Sequence, residues 1–424
     1  MRLLYNWNKV FNRVMDIKDE YLKTNKEINY NVPEDTNILS VLVDNIQDET
    51  KRTFYANWLN TLKVTQNNTR ILLHYDLIAS AEEMWRDINS INIEARSIYI
   101  DLDSEDIVLC PMPKFFNIDE IPENKFDIII DKIKNAKEFE ITNKLDGSNQ
   151  NATYFKGEVV LCGSTACNPK NSWRVVEGYK MLEDNPNYIQ MLKDNPNITF
   201  IFEFIHPDDV HVVSYDESKK GLYLLCFREN LTGKLHSYKE MKEIANKYNV
   251  LSTDIEYYTL EELLNIRDKF KANDKEGWVL NIDGYRVKFK TEDYLKMHKC
   301  FSNKSITKIL IKEIADGTID DFMAGCIDSI KPIVHEQTLS ILDFVKNKEN
   351  IIYSYFNTYK YISDRKDFAN AVKNNVPKDL RKYLFNLYDG KEINVLKLSE
   401  NKYLNPDDMN LKNVYMNLPK EQEE

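Results

Sequence analysis

The first 146 residues of this 424-residue chain contain no glycine, and all eleven glycines lie at or after Gly147. Glycine lets a backbone turn sharply or approach a ligand closely. Its absence predicts regular helices and strands in the N-terminal third. Its return at Gly147 predicts that backbone and ligand meet in the region that begins there.

Signals for disulfides, zinc and membranes are also lacking. The six cysteines form no Cys-x-x-Cys pair, and the six histidines form no cluster at zinc-ligand spacing. We therefore expect reduced thiols and no structural zinc. No apolar run approaches the roughly 18 residues of a membrane helix, and polar residues interrupt the N-terminus before a signal peptide can form. We expect a cytosolic protein.

Basic residues are fewer than acidic ones: the chain has 57 Lys and Arg residues and 68 Asp and Glu residues, which gives a net charge of −11. This balance disfavours indiscriminate binding to polyanions. Any nucleic-acid site must therefore be a local concentration of basic residues. The sequence also has no Gly-x-x-x-x-Gly-Lys-Ser/Thr motif, so we expect no fused end-healing kinase.

Hydrophobic patterning predicts a mixed protein with a helical C-terminal part. The expected elements are a helix over 6–24, a strand over 37–43, a helix over 80–89, a β-hairpin and loop over 96–118, a strand-rich region over 139–290 with helical insertions at 172–194 and 238–270, and helical periodicity over 306–314, 334–345 and 351–362. The change in character predicts a domain boundary near residue 300.

The stretch FEITNKLDGSN, residues 139–149, places a lysine at a strand exit. Phe139 and Ile141 alternate with polar residues, and Asp146-Gly147 breaks the chain just after Lys144. An ordinary strand-to-turn exit with a solvated lysine has the same pattern. The functional alternative is a nucleophilic Lys144, which requires helper residues elsewhere.

The stretch EGWVLNIDGYRVKFK, residues 276–290, predicts a hairpin around its Asp-Gly turn. Its second strand places Arg286, Lys288 and Lys290 on one face. These cations repel one another unless an anion lies among them, although a solvated edge strand also carries lysines. The same pairing places Glu276 on the opposite face, so that it would have to act from the strand mouth or across a bulge.

A third stretch, ITFIFEFI at 198–205, puts Glu203 on a largely apolar strand face. A nucleophilic lysine needs a pKa about three units below 10.4, which costs about 4 kcal/mol. Neighbouring cations or desolvation supply this, and Lys288 and Lys290 are candidates. Carboxylates at 146, 203 and 276 could hold Mg²⁺ or a ribose. The set fits phosphoryl chemistry on a nucleotide.

The order KLDGS (144–148), FEF (202–204), EGWV (276–279) and VKFK (287–290) resembles the signature of covalent nucleotidyltransferases, which are polynucleotide ligases and mRNA capping enzymes. More closely, the chain resembles the T-even phage RNA ligase 1 family. The stretches that carry this resemblance lie in the correct order over about residues 95–325, and they are RSIYIDLD, PMPKFFNIDE, FEFIHPDDVHVV, CFRENLTGKLHSY, RVKFKTEDYLKMH and IADGTIDD.

The resemblance implies a role for each matching residue. Lys144 would become adenylylated, and Asp146 would serve the later ligation steps. Glu203 and Glu276 would contact ribose or metal-bound water, while Lys288 and Lys290 would bind the α-phosphate and the leaving pyrophosphate. By the same resemblance, Asn143, Arg96 and Lys114 would contact ATP, and the pair Asp320 and Asp321 would help to hold a second Mg²⁺. The residues that the resemblance implies as metal ligands are therefore Asp146, Glu203, Glu276, Asp320 and Asp321.

One position departs from the family, because Cys162 stands where a basic residue usually precedes Gly-Ser. Lys170 or Arg174 would then supply the missing phosphate contact. We expect Cys162 itself to be a small buried hydrophobe. For Trp278 we expect core packing, with base stacking as the alternative.

The resemblance implies an α+β fold: a nucleotidyltransferase (ATP-grasp-like ligase) domain with antiparallel sheets over 91–299, an N-terminal elaboration over 1–90, and a helical RNA-specificity domain over 300–424. It implies a three-step, ATP-dependent RNA ligase that uses Mg²⁺, with Mn²⁺ as a substitute. The expected substrate is RNA with 5′-phosphate and 3′-hydroxyl ends, such as tRNA cleaved in its anticodon loop. We also expect a monomer, a separate end-healing kinase and phosphatase, and a phage or viral origin in the host cytosol.

Two alternatives remain open. A DNA ligase or capping enzyme would carry a β-rich OB module after the VKFK strand, whereas residues 300–400 have helical periodicity. A non-catalytic RNA-binding relative would not need the residues that match every catalytic position.

Overall fold

The computed structural model describes residues 2–33, 36–76, 90–167, 172–209, 211–301, 306–326, 331–399, 402–405 and 409. The chain forms two compact units, residues 1–294 and 295–423. None of the described helices is both long and apolar enough to cross a membrane. The predicted α+β class, with antiparallel sheets and a helical C-terminal region, is confirmed.

The first unit begins with three helices packed against a four-stranded antiparallel sheet. The helices are α1 (Lys9–Leu22), α2 (Ile38–Asp44) and α3 (Glu49–Leu59), and the strands, in their order across the sheet, are β1 (Leu62–Asn67), β2 (Arg70–Tyr75), β3 (Arg96–Asp101) and β4 (Asp106–Leu109). The predicted first helix and the hairpin that begins at Arg96 are confirmed. The helix predicted over 80–89 lies outside the described residues.

The strand predicted over 37–43 is wrong, because this segment forms α2. The Asn37 side chain caps the helix by accepting a hydrogen bond from the Leu39 N–H. Ile38, Leu39, Leu42 and Val43 are all buried, which is the spacing of one helix face. A short apolar run is compatible with either element, and here the cap decides between them.

Two further antiparallel sheets build the region after residue 138. One has the order β7 (Glu158–Gly163), β6 (Ser148–Phe155), β8 (Ile198–Ile205) and β9 (Gly221–Glu229); the other has the order β10 (Ile255–Glu256), β5 (Phe139–Lys144), β11 (Gly277–Ile282) and β12 (Tyr285–Lys290). Lys144 pairs with Gly277, and Gly277 pairs with Lys290 on its other side. This register brings the ends of three strands together.

Helices cover these sheets and form most of the second unit. They are α4 (Phe126–Asn135), α5 (Trp173–Asp184), α6 (Pro186–Asp194), α7 (Tyr238–Tyr248), α8 (Leu260–Arg267) and α9 (Glu292–Phe301), followed by α10 (Ile306–Asp316), α11 (Ile319–Gly325), α12 (Lys331–Tyr359), α13 (Arg365–Asn375) and α14 (Arg381–Tyr388). The apolar pattern over 334–345 and most of the one over 351–362 belong to one continuous helix, α12, which ends at Tyr359. The described strands of the second unit are one short pair, β13 (Lys397–Ser399) and β14 (Lys402–Tyr403).

Candidate active site

A polar cavity of about 220 Å³ lies in the first unit beside the end of β5. Five of the predicted site residues line it, namely Arg96, Asn143, Lys144, Glu203 and Lys288. Its volume is somewhat below the roughly 300–1,000 Å³ of sites that enclose whole small molecules. It is therefore smaller than a site that would enclose a whole small molecule.

Lys144 is paired with a carboxylate at the cavity wall. Its Nζ donates to Glu276 Oε2 at 2.7 Å, and Lys290 Nζ lies 2.9 Å from the other oxygen of the same carboxylate. The Glu276 side chain is 2% exposed. Glu276 thus joins two lysines that come from different strands.

The backbone at Gly277 explains how Glu276 reaches the lysine face. Gly277 has a φ of +150°, a conformation that side chains rarely adopt, and a Cβ added there would lie 2.3 Å from the Phe289 carbonyl oxygen. The regular alternation of faces ends at this residue. Glu276 therefore reaches the lysines from the position just before β11 begins. This is the strand-mouth arrangement, and not the bulge, of the two that the strand pairing allowed.

The balance of charge around Lys144 favours its protonated form. Desolvation opposes the ammonium, but the charges of Glu276 and Glu203 and the hydrogen bond to Glu276 outweigh it and raise the pKa of Lys144. The expectation that neighbouring cations or desolvation lower this pKa is wrong for the arrangement observed, because the charges of Glu276 and Glu203 outweigh the effect of desolvation.

The lowered pKa belongs to Lys288 instead. Burial and the charges of Arg96, Lys144, Lys114 and Lys290 hold the pKa of Lys288 well below its usual range. The backbone of residues 116–118 runs along β12 at this point, since the Lys288 N–H donates to the Phe116 carbonyl at 2.9 Å. This contact brings Lys114 towards the cluster. The predicted cations are therefore gathered where an anion would relieve their repulsion.

Aromatic rings lie under the cationic groups of this cluster. Lys288 Nζ and Arg96 Cζ lie 4.8 and 5.4 Å from the ring centroid of Phe115. Lys114 Nζ lies 4.9 Å from the ring centroid of Tyr75. These cation–π contacts stabilise positive charge that has been withdrawn from water.

Glu203 faces the cavity from β8, as its strand pattern predicts. Its Oε1 accepts a hydrogen bond from the Gly147 N–H at 2.9 Å. Burial, opposed in part by Lys144, raises the pKa of Glu203 to about 7. The site therefore holds a carboxylate whose negative charge is incompletely compensated, which is a suitable partner for an added cation.

This shift predicts a pH dependence of stability. The folded protein holds a proton on Glu203 more tightly than the unfolded chain does, so stability should fall as pH rises from about 4.5 to about 7. At pH 8 we expect E203Q to be more stable than the wild type by about 3 kcal/mol. Urea unfolding across the pH range would measure the difference. Near pH 4 the difference in stability between E203Q and the wild type should vanish. Unfolding free energies that change with pH in parallel for the two proteins would contradict the prediction.

The Asp146 carboxylate is hydrogen-bonded to other groups of the protein. Asp146 is not among the described residues that line the cavity. Its carboxylate accepts hydrogen bonds from the Val213 N–H at 2.9 Å and from Tyr294 Oη at 2.8 Å. Burial and the charge of Glu276 raise the pKa of Asp146. Tyr294 is a site residue that sequence reasoning missed, since 148 positions separate it from its partner.

A buried ionic chain continues from Asp146. His211 Nδ1 lies 3.7 Å from Asp146 Oδ1, and its Nε2 lies 3.2 Å from Asp209 Oδ2. Asp209 also accepts hydrogen bonds from Ser148 Oγ and Arg174 Nε, each at 2.7 Å. Burial alone would raise the pKa of Asp209, but His211 and Arg174 hold it at about 2. These contacts hold the segment that follows Lys144 in place.

The environment of Cys162 matches its predicted role as a small hydrophobe. Cys162 is fully buried in a cluster with Cys167. Of the two cations expected to replace the missing basic residue, Arg174 binds Asp209, and Lys170 lies outside the described residues. Trp278 is fully buried and donates to Glu256 at 2.7 Å, which confirms its core role.

The predicted metal ligands divide between the two units. Asp320 is exposed on α11 in the second unit, and the side chain of Asp321 lies outside the described part of the chain. Within that part, no three His, Cys, Asp or Glu side chains form a metal-binding group. Mg²⁺ is commonly held by one or two carboxylates together with substrate phosphates. The metal assignment therefore stays a prediction that depends on bound nucleotide.

Comparisons with known proteins identify similar sequences and structures. Residues 94–294 match a family model described as RNA ligase, of the T4 RNA ligase 1 type. Among solved structures, an apo mutant of Naegleria gruberi RNA ligase is 20% identical, with a TM-score of 0.34 over 41% of this chain and 55% of that one. The same ligase with pyrophosphate is 22% identical, with a TM-score of 0.33 and the same coverage. This chain thus spans about half the length of those ligases.

Proposed function

We propose that this chain, whose residues 94–294 belong to the T4 RNA ligase 1 family, is an ATP-dependent RNA ligase that joins a 5′-phosphate to a 3′-hydroxyl. One observation carries the proposal. The Lys144 amine lies on the wall of a cavity that also contains Lys288 and Arg96. This arrangement supports a nucleophilic role for Lys144 beside a group of cations suited to a phosphate.

In the first step, Lys144 Nζ attacks the α-phosphorus of ATP, a phosphorus–nitrogen bond forms, and the bond to pyrophosphate breaks. The amine has to lose its proton before it attacks. Glu276 Oε2, 2.7 Å away, accepts a hydrogen bond from this amine and fixes its position. Burial would raise the pKa of Glu276, but Lys144 and Lys290 hold it at about 2, so the proton passes to solvent water and not to this carboxylate. Lys288 and Lys290 balance the charge that develops on the leaving pyrophosphate.

A divalent cation fits the carboxylates of this site. Mg²⁺ or Mn²⁺, held by the nucleotide phosphates together with Glu203 or Glu276, would supply positive charge that neutralises both the phosphates and the leaving group. The incompletely compensated charge of Glu203 supports this assignment. Occupation of these carboxylates would also remove the negative charge that raises the pKa of Lys144.

Two transfers complete the proposed reaction. The AMP passes from Lys144 to the 5′-phosphate of RNA, and the 3′-hydroxyl then attacks that phosphate and expels AMP. Each step develops negative charge in the same place, so that one fixed set of cations serves all three. Asp146, held by Tyr294 and Val213, is the residue that we assign to these later steps.

The biological setting is part of the same proposal. We expect broken tRNA as the substrate, with the helical second unit selecting it, and separate enzymes that prepare the ends. A phage-encoded monomer acting in the host cytosol fits this role. Joining of a tRNA cleaved in its anticodon loop, compared with an unstructured RNA of equal length, would measure the preference.

Labelling by ATP tests the proposal directly. In the presence of Mg²⁺, α-labelled ATP should transfer its label to the protein, whereas γ-labelled ATP should not. Labelling from GTP instead would indicate a capping enzyme. Joining of a 5′-phosphorylated single-stranded RNA, compared with a nicked DNA duplex, would separate an RNA ligase from a DNA ligase. A wild-type protein that takes no label from either nucleotide would be a non-catalytic relative.

A further inference from the structure

We infer that Lys63, His74 and Arg96 form a phosphate subsite, which continues the cation cluster of the cavity across the adjacent N-terminal sheet. This inference rests on the proposed function and extends the phosphate contact of Arg96 to two residues that have no assigned role, Lys63 and His74. The ligand is a phosphate group beyond the one that Lys144 attacks. A ligase has two sources of such a group, the terminal phosphates of ATP and the backbone phosphates of the RNA strand.

The strand register aligns three basic side chains in one row. Lys63 on β1 pairs with His74 on β2, and His74 pairs with Arg96 on β3. A bulge at Ser97, whose φ is +68°, brings Arg96 opposite His74. Residues directly opposite each other on neighbouring strands point to the same face of the sheet. Because neighbouring strands lie about 4.8 Å apart, the row extends roughly 10 Å from Arg96 to Lys63.

The row lies on the face of this sheet that points towards the cavity. Arg96, at the inner end of the row, lines the cavity. Leu72 lies two positions before His74 on β2, and hence on the same face, and it packs in one cluster with Cys162 of β7. Helices α1, α2 and α3 pack against the opposite face. The row therefore leads from the cavity wall to β1, the edge strand of its sheet.

The inner part of the row carries positive charge that the described carboxylates do not pair with. Within the described part of the chain, neither Arg96 nor His74 forms an ion pair with an Asp or Glu side chain. Burial lowers the pKa of His74 to about 4, and nearby cations contribute to this, namely Arg96, Lys63 and Lys114. Lys288, which lies in the cavity with Arg96, shows the same effect. Positive potential therefore extends from the cavity to His74, and an anion placed there would relieve the repulsion.

The imidazole of His74 is held in the row by its backbone neighbour. Its Nδ1 lies 2.8 Å from the Tyr75 carbonyl oxygen, and since a carbonyl only accepts, Nδ1 carries the hydrogen. Nε2 is then the ring nitrogen that can face a ligand. A phosphate that enters the row would favour the charged imidazole, so that Nε2 takes up a proton from water and donates to the phosphate. The ammonium of Lys63 and the guanidinium of Arg96 would lie on either side of it.

Binding of nucleotides and RNA to K63A and H74Q tests the subsite. Each substitution should weaken binding of the ligand that carries the phosphate by roughly tenfold, because it removes one hydrogen bond to a charged group. If the phosphate belongs to ATP, calorimetry without divalent cation should show a higher Kd for ATP and an unchanged Kd for AMP. If it belongs to RNA, anisotropy should show a higher Kd for a single-stranded oligoribonucleotide and a salt dependence of log Kd that is shallower by about 0.7. Kd values that are unchanged for both ATP and RNA, or that rise equally for ATP and AMP, would overturn the inference.

Lys51 provides a matched control. It lies on α3, one of the helices on the opposite face of the same sheet, and its Nζ is 2.6 Å from a Glu20 carboxylate oxygen. Its charge is therefore already balanced within the protein. K51A should bind ATP, AMP and RNA as the wild type does. Losses of affinity in K51A that equal those in K63A would mean that only the total charge of the protein matters, and they would overturn the inference.

Histidine NMR signals of the wild type keep the inference testable if either variant fails to fold. Inorganic tripolyphosphate or the oligoribonucleotide should shift the imidazole ¹⁵N signals of His74. Those of His236 should not move, because this imidazole already lies between the carboxylates of Glu229 and Glu240, at 3.1 and 3.0 Å. His74 signals that neither probe shifts would overturn the inference. Absence of labelling by ATP in the wild type would refute the proposed function alone, since these binding measurements do not depend on catalysis.

Discussion

Replacement of Lys144 by arginine should abolish labelling by α-labelled ATP, with a loss on the order of 10⁴-fold or more. Arginine retains the positive charge and can still donate to Glu276, but its guanidinium is not deprotonated in proteins and therefore cannot attack phosphorus. K144R thus separates the nucleophile from the ion pair. The measurement is incorporation of label into protein in the presence of Mg²⁺.

Lys18 is a matched control for this substitution. It is a buried lysine bound to the Glu105 carboxylate at 2.8 Å and to the Leu102 carbonyl at 2.6 Å, within the core of the N-terminal helices. K18R should be labelled as the wild type is. K144R should also still join RNA that already carries a 5′-AMP, because that step needs no lysine nucleophile. Substantial labelling of K144R would contradict the role assigned to Lys144.

The strand patterns predicted much of the site. Alternation placed Glu203 on the cavity side of β8, and it placed Val287 and Phe289 in the core opposite Lys288. Such predictions are reliable because neighbouring side chains of a strand point to opposite faces. The Asp283-Gly284 turn is likewise as predicted, with φ of +50° and +87° at the two residues.

Features that depend on distances across the fold could not be predicted in this way. Whether the pKa of Lys144 rises or falls depends on how close each carboxylate and each cation lies, and sequence spacing does not contain those distances. The contacts of Asp146 with Tyr294 and His211 have no signal in the sequence for the same reason. The error at α2 is local, because Asn37 was not recognised as a helix cap.

The second large effect is expected at Gly277, where the backbone turns Glu276 towards the lysines. An alanine there would place its Cβ 2.3 Å from the Phe289 carbonyl oxygen and 2.6 Å from Lys290 Cα, in a conformation with φ of +150°. These atoms belong to the residues of β12 that pair with the start of β11, so they cannot move away without disturbing that pairing. G277A should therefore lose about 3 kcal/mol or more of stability, and displacement of Glu276 should reduce labelling by at least about 100-fold.

Gly284, at the other end of the same hairpin, separates conformational strain from the clash. Its φ is +87°, but an added Cβ would meet nothing within 4 Å. G284A should therefore cost only the left-handed strain of about 1 kcal/mol and should leave labelling unchanged. Thermal unfolding and ATP labelling of both variants provide the comparison. If G277A and G284A lost equal amounts of stability and of labelling, backbone strain alone would account for both variants. The position of Glu276 would then not depend on the close packing at Gly277.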